Sequence, residues 1–458
     1  MADTPNPNPA EVPLPPTRDL ARYVTSTRAE DIDEVSLRWA RHCLLDWLAV
    51  TMPGASEDLV SILVAEAFAD EAEGSVPLVG RSECLNPSWA ILVNGSASHA
   101  LDYDDVNRLF QGHPTVAVLP AILVAGAVSG KSVDDVLRSF VVGYEVGCLI
   151  GEMTGTPHYD TGWHATATIG TFGAAAGVAH LMGLDEDRAA HALGTAATMA
   201  AGLKSMFGTM CKPMHAGRAA QSGYLAARMA ARGWVSRDDA LECGQGFWDT
   251  QGPGHAAFPV ARQDNQPFQI QNNLFKYHAA CYMTHSAIEA CRSLHDAHAI
   301  PPEDIRRVRV KVAEQNLKVC NILEPDTGLE VKFSLRHTAA MGLKGLDTAA
   351  IDSYSDEIAQ RPDLVDLRRK VEIEPRQVSH VEVTGAEVVI ETDGATYTNA
   401  FNVGLPASDV DVQEQRLIAK YGALMRPLVD AGTLSSLKEM ALTGTPTARE
   451  LLDAARVT

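Results

Sequence analysis

Aromatic side chains are scarce in this chain, 6% of its residues, and apolar runs are short. A stretch such as "AVLPAILVAGAVSG" at 117–130 stops short of the roughly 18 apolar residues a bilayer span needs, and Gly and Pro interrupt it. No membrane segment is expected. The eight cysteines (Cys43, Cys84, Cys148, Cys211, Cys243, Cys281, Cys291 and Cys320) contain no C-x-x-C pair, which predicts free thiols in a reducing compartment. The opening "MADTPNPNPAEVPLPP", residues 1–16, has neither a basic residue nor an apolar core. It is expected to be a flexible Pro-rich arm rather than a secretory or transit segment, and the expected location is the cytoplasm.

Several motifs are missing as well. There is no G-x-S-x-G and no H-E-x-x-H, and no repeat of fixed period. "GAVSGKS" at 126–132 has Ala125 where a phosphate loop needs glycine, and "GQGFWD" at 244–249 has an aspartate in place of the third glycine of a dinucleotide fingerprint. Positive charge is also in deficit. With 58 Asp and Glu against 38 Lys and Arg, the formal charge of −20 argues against nucleic acid and anionic membranes as partners.

The acids are themselves absent from one long window. Between Ala189 and Arg237 there is no Asp or Glu, while Lys204, Lys212, Arg218, Arg228, Arg232 and Arg237 all fall within it. A cationic island in an anionic protein suits an anionic ligand.

A chain of 458 residues that is 46% hydrophobic has material for two domains. From about Thr17 to Gly233 the text is helical, with Ala, Leu and Met at three-to-four spacing, and the pattern changes after about 265. In "SVDDVLRSFVVGYEVGCLIGEM", Ser132 is placed as an N-cap with acids in the first turn. Small residues in "GTFGAAAGVAHLMG" at 170–183 predict helices that approach closely. Alternating strand patterns follow in "IRRVRVKV" at 305–312 and in "HVEVTGAEVVIETDGATYTNAFNV", with hairpin signals at Thr384-Gly385 and Asp393-Gly394. Helical segments are expected near 278–295 and 333–343, and helices again beyond about 405. The fold class is therefore mainly α: an all-helical domain of residues 17–265 with 405–458, and a smaller α+β domain of residues 266–404 inserted between them.

The chemistry concentrates in a few places. In "KPMHAGRAAQSG", Pro213 suits a first helical turn and puts Lys212 at the cap, with His215, Arg218 and Ser222 following at three- and four-residue intervals. A helix N-terminus joined to Lys212 and Arg218 makes an anion site. "HALDYDD" at 99–105 places Asp102 and Asp105 one helical turn apart, "GHP" sets His113 before a proline, and "GWHATATIGTFGA" sets His164 at the start of a small-residue helix beside Trp163. Each histidine alone suits a packed core or loop. Together, His113, His164 and His215 at Gly/Pro-marked helix starts point to proton transfer near neutral pH. "HAACYMTH" (His278, Cys281, His285) is read as packed helix rather than as metal ligands.

These same residues carry a resemblance that spans nearly the whole chain. "LLDWLAV", "NGSASHALDYDD", "GHPTVAVLPAILV", "GWHATATIGTFGAAAGVAHLMGL", "FGTMCKPMHAGRAAQSG", "KYHAACYMTHSAIEA" and "KFSLRHTAAMGL" resemble the MmgE/PrpD family, which includes 2-methylcitrate dehydratases, cis-aconitate decarboxylases and iminodisuccinate epimerases. The resemblance implies a large helical domain, a smaller α+β lid, a homodimer, an active site in the cleft between the domains, and neither metal nor organic cofactor. It implies active-site roles for Asp102, His113, His164, Lys212 and Lys276, with Lys204 and His215 flanking the same pocket. Cys281 stands where the decarboxylases have a histidine, and His337, after "SLR", where they have a tyrosine; decarboxylation is the least favoured chemistry on that ground. Cys281, Tyr282, Arg336 and His337 are expected to read the part of the acid far from the reacting carbon.

The expected function is a cofactor-independent dehydratase or hydratase of a small anionic polycarboxylate, working by proton abstraction next to a carboxylate. One of His113 and His164 would be the base and the other the acid, with Lys212, Lys204 and Lys276 holding carboxylates. An epimerase of an iminodisuccinate-like acid is the alternative, followed by a non-catalytic binding protein on the same frame.

Overall fold

Two helices with no polar face set the centre of the molecule. Pro114–Ser129 buries 13 of its 16 residues and Ala165–Leu181 buries 16 of its 17, as a helix apolar on every side must when surrounded by others. Around them pack Glu34–Gly54, Pro87–His99, Val133–Thr154 and Cys211–Ala231. The computed structural model describes residues 15–258, 260, 266–379 and 383–457. Residues 1–14 of the expected arm lie outside the described residues, and Pro16 already begins a helix, Pro16–Ser26.

The small residues foreseen at helix crossings do their work at one contact above all. Gly95 meets Gly217 so closely that a Cβ on Gly95 would stand 2.6 Å from the Gly217 Cα. Contact at backbone distance locks Pro87–His99 against Cys211–Ala231, and it fixes His99 relative to Lys212 and His215. Ser132 caps Val133–Thr154 as expected, with Asp135 completing a capping box.

Strands are few. A short pair, β1 (Glu73–Pro77) and β2 (Cys84–Leu85), was not foreseen. The larger sheet has the order β4-β3-β5-β6, with β3 Ile305–Ala313, β4 Val371–Arg376, β5 Gly385–Thr392 and β6 Thr396–Asn402. β3 pairs parallel with β4 and antiparallel with β5. Its alternation sends Val308, Val310 and Val312 into the core, while Arg309 and Lys311 on the other face pair with Glu391 at 3.0 Å and Glu387 at 2.6 Å. The Asp393-Gly394 turn joins β5 to β6 as read from sequence. The strand expected before Thr384-Gly385 falls at 380–382, outside the described residues. Tyr282–His298 and Leu335–Leu343 cover the sheet.

The chain then returns to helices: Val410–Met425, Ala431–Leu442 and Ala448–Ala454. The first two pack on Glu34–Gly54, where buried Lys420 donates to Asp46 Oδ1 at 2.5 Å and to the Tyr103 carbonyl at 2.8 Å. The segment at 268–273 also runs along the helices: Gln269 N donates to Glu145, and Asn273 bonds Asp105 and Tyr144. Among the described residues no single helix is long and apolar enough to cross a membrane; Glu34–Gly54 and Asp58–Ala69 reach that length only as a pair bent by 83°.

Candidate active site

Three helices begin at one place. His113 is the N-cap of Pro114–Ser129, held extended (φ −107°, ψ 94°) by the proline that follows it. His164 is the N-cap of Ala165–Leu181 in a similar conformation (φ −87°, ψ 99°). Lys212 lies in the first turn of Cys211–Ala231, whose cap is Met210, two residues earlier than the sequence suggested. Each N-terminus presents the positive end of a helix dipole. A lysine there is electrostatically disfavoured unless something anionic faces it.

That something is Asp102. Its Oδ1 lies 2.8 Å from Lys212 Nζ, 3.0 Å from Lys276 Nζ and 3.7 Å from His113 Nε2. The expected helical spacing of Asp102 and Asp105 is not present: the Pro87–His99 helix ends first, and Asp102 adopts φ 49°, a left-handed conformation that turns the acids apart. Asp105 instead accepts from Thr115 and Asn273, and burial pushes its carboxyl up to about 6. Asp102 keeps 53% of its side-chain surface accessible, so it faces an opening although protein encloses it on its other sides. Enclosure pushes its carboxyl up, Lys276 and Lys212 pull it down, and the cations prevail, leaving it well below the usual carboxylate range. Lys276, almost fully buried, feels the reverse: burial draws its ammonium down, Asp102 and Asp104 push it up, and it ends above its ordinary value.

A second carboxylate ties the histidines together. Buried Asp104 accepts from His99 Nδ1 at 2.9 Å and lies 2.8 Å from His113 Nδ1, a contact poorly aligned for a hydrogen bond. Burial opposes its charge, but His113 and His99 keep it ionised, well below the ordinary value. His99 is pushed down to about 4, by burial first, with Asp104 opposing and Lys212 adding to the effect. Its ring stands 4.6 Å from that of His113 and 6.0 Å from that of His164. His164 Nδ1 faces His215 Nδ1 at 3.0 Å, and Phe207 closes on its ring edge-on at 4.9 Å. Burial, then the neighbouring His99 and His113, hold His164 far below its usual range, so it is a neutral imidazole near pH 7.

The other sequence candidates lie around this centre or away from it. Lys204 donates to the Tyr159 carbonyl at 2.9 Å and lies 3.5 Å over the Tyr159 ring. It therefore occupies the rim and does not reach Asp102, although the Tyr159 phenol, raised by burial and then by Asp102, is within electrostatic reach of the centre. Arg218 is exposed, unlike buried His215, and donates to Gln221 at 2.6 Å. Cys281 is the N-cap of Tyr282–His298, close enough to Lys276 and Asp102 for their charges to act on its thiol. Tyr282 Oη donates to the Val403 carbonyl at 2.6 Å, and Arg336 to Asn321 at 2.9 Å. His337 is buried with its Nδ1 3.3 Å from Arg368. His99, Asp104 and Phe207 were not singled out from sequence, although His99 and Asp104 stand inside the quoted "HALDYDD".

His99, Asp102, Asp104 and His113 bring four potential metal ligands within 4.8 Å of one another. The set suits a cation poorly. Two ammonium groups already lie within 3.0 Å of Asp102 Oδ1, and a divalent ion bound there would meet both. The arrangement fits an anion above a set of proton carriers better.

Comparison with known proteins gives the family of the chain. Residues 18–257 match the MmgE/PrpD N-terminal domain and residues 278–442 the MmgE/PrpD C-terminal domain. The chain belongs to the MmgE/PrpD family. It is 25% identical over 460 residues to a cis-aconitate decarboxylase of Aspergillus terreus, covering 93% of this chain and 92% of that protein. It is 31% identical over 320 residues to the cis-aconitate decarboxylase-like protein oryM of Aspergillus oryzae, covering 65% of this chain and 66% of the relative. The human cis-aconitate decarboxylase is 25% identical over 441 residues, with 92% of this chain and 90% of that protein covered. These relatives are named for a lyase reaction on a carboxylic acid, cis-aconitate.

Proposed function

We propose that this protein is a cofactor-independent dehydratase or hydratase of a small di- or tricarboxylic acid of the 2-methylcitrate type, working by proton abstraction next to a carboxylate. One observation carries the reading: Asp102, half open to solvent, is held between Lys212 and Lys276 where three helix N-termini and two imidazoles meet. The two lysines are the cations that would hold a substrate carboxylate. As charge builds on the carbon beside it, prearranged cations and helix ends lower the barrier, an effect often worth several kcal/mol.

His164 is assigned as the base, because burial keeps its imidazole uncharged. Accepting a hydrogen bond from His164 Nδ1–H, His215 would leave the His164 Nε2 lone pair free to take the proton. His113 is assigned as the acid that protonates the departing hydroxyl, since an imidazolium there has the Asp104 carboxylate beside it. The relatives' names support a polycarboxylate substrate. The family resemblance disfavours decarboxylation, since it implies histidine and tyrosine in the decarboxylases where this chain has Cys281 and His337.

An epimerase remains the second reading, favoured by two imidazoles set on separate helix N-termini. Incubation with citrate-like, malate-like and imino-dicarboxylate acids in D2O, followed by NMR and ultraviolet absorbance, separates the readings. A dehydratase creates an alkene and its absorbance; an epimerase incorporates deuterium without one. Consumption of none of these acids would contradict both and favour a binding protein.

A further inference from the structure

We propose that Cys281 and Cys320 form a peroxide-responsive thiol pair at the edge of the site, in which Cys281 is the thiol attacked and Cys320 closes a disulfide. The two are brought together by one short segment. Cys281 N donates to the Lys332 carbonyl at 3.0 Å, Leu335 N donates to the Cys320 carbonyl at 3.1 Å, and Asn321 bridges Ser334. Residues 332–335 thus clasp both cysteines, and each thiol is close enough to shift the other's ionisation.

The two thiols differ in access and environment. Cys281 is partly exposed, caps the 17-residue Tyr282–His298 helix, and has the buried Lys276 ammonium nearby. The neighbouring Cys320 first, then the Met283 backbone and Lys276, draw its thiol down to about 7 against the opposing effect of burial. A helix N-terminus and a cation both favour a thiolate. Cys320 is completely buried, and its thiol is held well above the usual range. Cys43, Cys148 and Cys291 are buried, with burial raising each of them.

The chemistry balances with hydrogen peroxide as the only oxidant. The Cys281 thiolate attacks one peroxide oxygen, the O–O bond breaks, and a sulfenic acid and hydroxide result. Cys320 sulfur then attacks the sulfenyl sulfur, the S–O bond breaks, and the Cys320 proton leaves with that hydroxide as water. A dithiol reductant reverses the product.

The test uses the full chain, native and substrate-free, and does not depend on the reading of the reaction, which would survive its failure. Treatment with hydrogen peroxide should lower the intact mass by about 2 Da, and trypsin should release residues 277–292 joined to residues 319–332, with fragment ions placing the link on Cys281 rather than Cys291. In Cys320→Ser the disulfide cannot close, so dimedone should trap a sulfenic acid at Cys281. Oxidation of Cys84, Cys211 or Cys243 while Cys281 stays reduced would overturn the proposal. So would a Cys320→Ser protein that acquires no dimedone at Cys281.

Discussion

His164 and His215 face each other through their Nδ1 atoms at 3.0 Å, so only one proton fits between the two rings. His215 is buried, and burial lowers its pKa, which leaves it neutral; with the shared proton on His164 Nδ1, as the proposed mechanism has it, His215 is the acceptor that orients His164. Replacing His215 by Phe keeps an aromatic ring but removes the acceptor. Turnover should fall by roughly 10- to 100-fold with KM little changed and the far-UV CD spectrum intact. An unchanged kcat would show that His164 does not need this partner.

Asp104 gives a second, sharper test because it touches two imidazoles and is fully enclosed. Asp104→Asn preserves its size and removes its charge. The neutral amide no longer supports an imidazolium at His113, and kcat should fall by about 10²- to 10⁴-fold. KM and the far-UV CD spectrum should stay unchanged; an unchanged kcat would contradict the role.

His99 links the site to stability. Its folded value, about 4, lies below the roughly 6.5 of an unfolded histidine. Between those values the unfolded chain binds a proton that the folded chain does not, so its contribution to stability shrinks as the pH falls from about 6.5 towards about 4. His99→Gln removes that term. Urea unfolding of the variant should lose less stability than wild type over the same fall in pH; identical pH dependence would contradict the assignment.

Lys420 and Asp46 are both almost fully buried and 2.5 Å apart. Burial pushes Asp46 up to about 7 even with Lys420 beside it. Lys420→Met should cost about 3 kcal/mol, measured by chemical denaturation, because it leaves a buried acid unpaired. The loss should grow with rising pH, since the folded acid then holds a proton that the unfolded chain gives up.

Much of the scaffold was legible because its signals are local. The Ser132 cap, the β3 alternation and the Asp393-Gly394 turn each follow from a few neighbouring residues. The helix-start histidines were legible for the same reason, through the Gly and Pro around them. Asp102 and Asp105 were misplaced on one helical turn because Pro87–His99 ends just before them, with no glycine or proline to announce it. What followed was also hidden: Asp104, rather than Asp105, faces the histidines, and Lys420, from more than 300 residues away, holds the Tyr103 carbonyl between them. Arg218 was grouped with His215 by spacing, which does not tell how deep each side chain sits: His215 is buried, while Arg218 is exposed and donates to Gln221.

The central claim is that Lys212, paired with Asp102, prepares the site for an electron-rich intermediate next to a carboxylate. The most direct measurement is exchange of the hydrogen beside a carboxylate for deuterium, followed by proton NMR on a polycarboxylate that the protein binds. Wild-type protein should exchange it and Lys212→Ala, folded by far-UV CD, should not. Exchange at the same rate in both proteins would contradict the account.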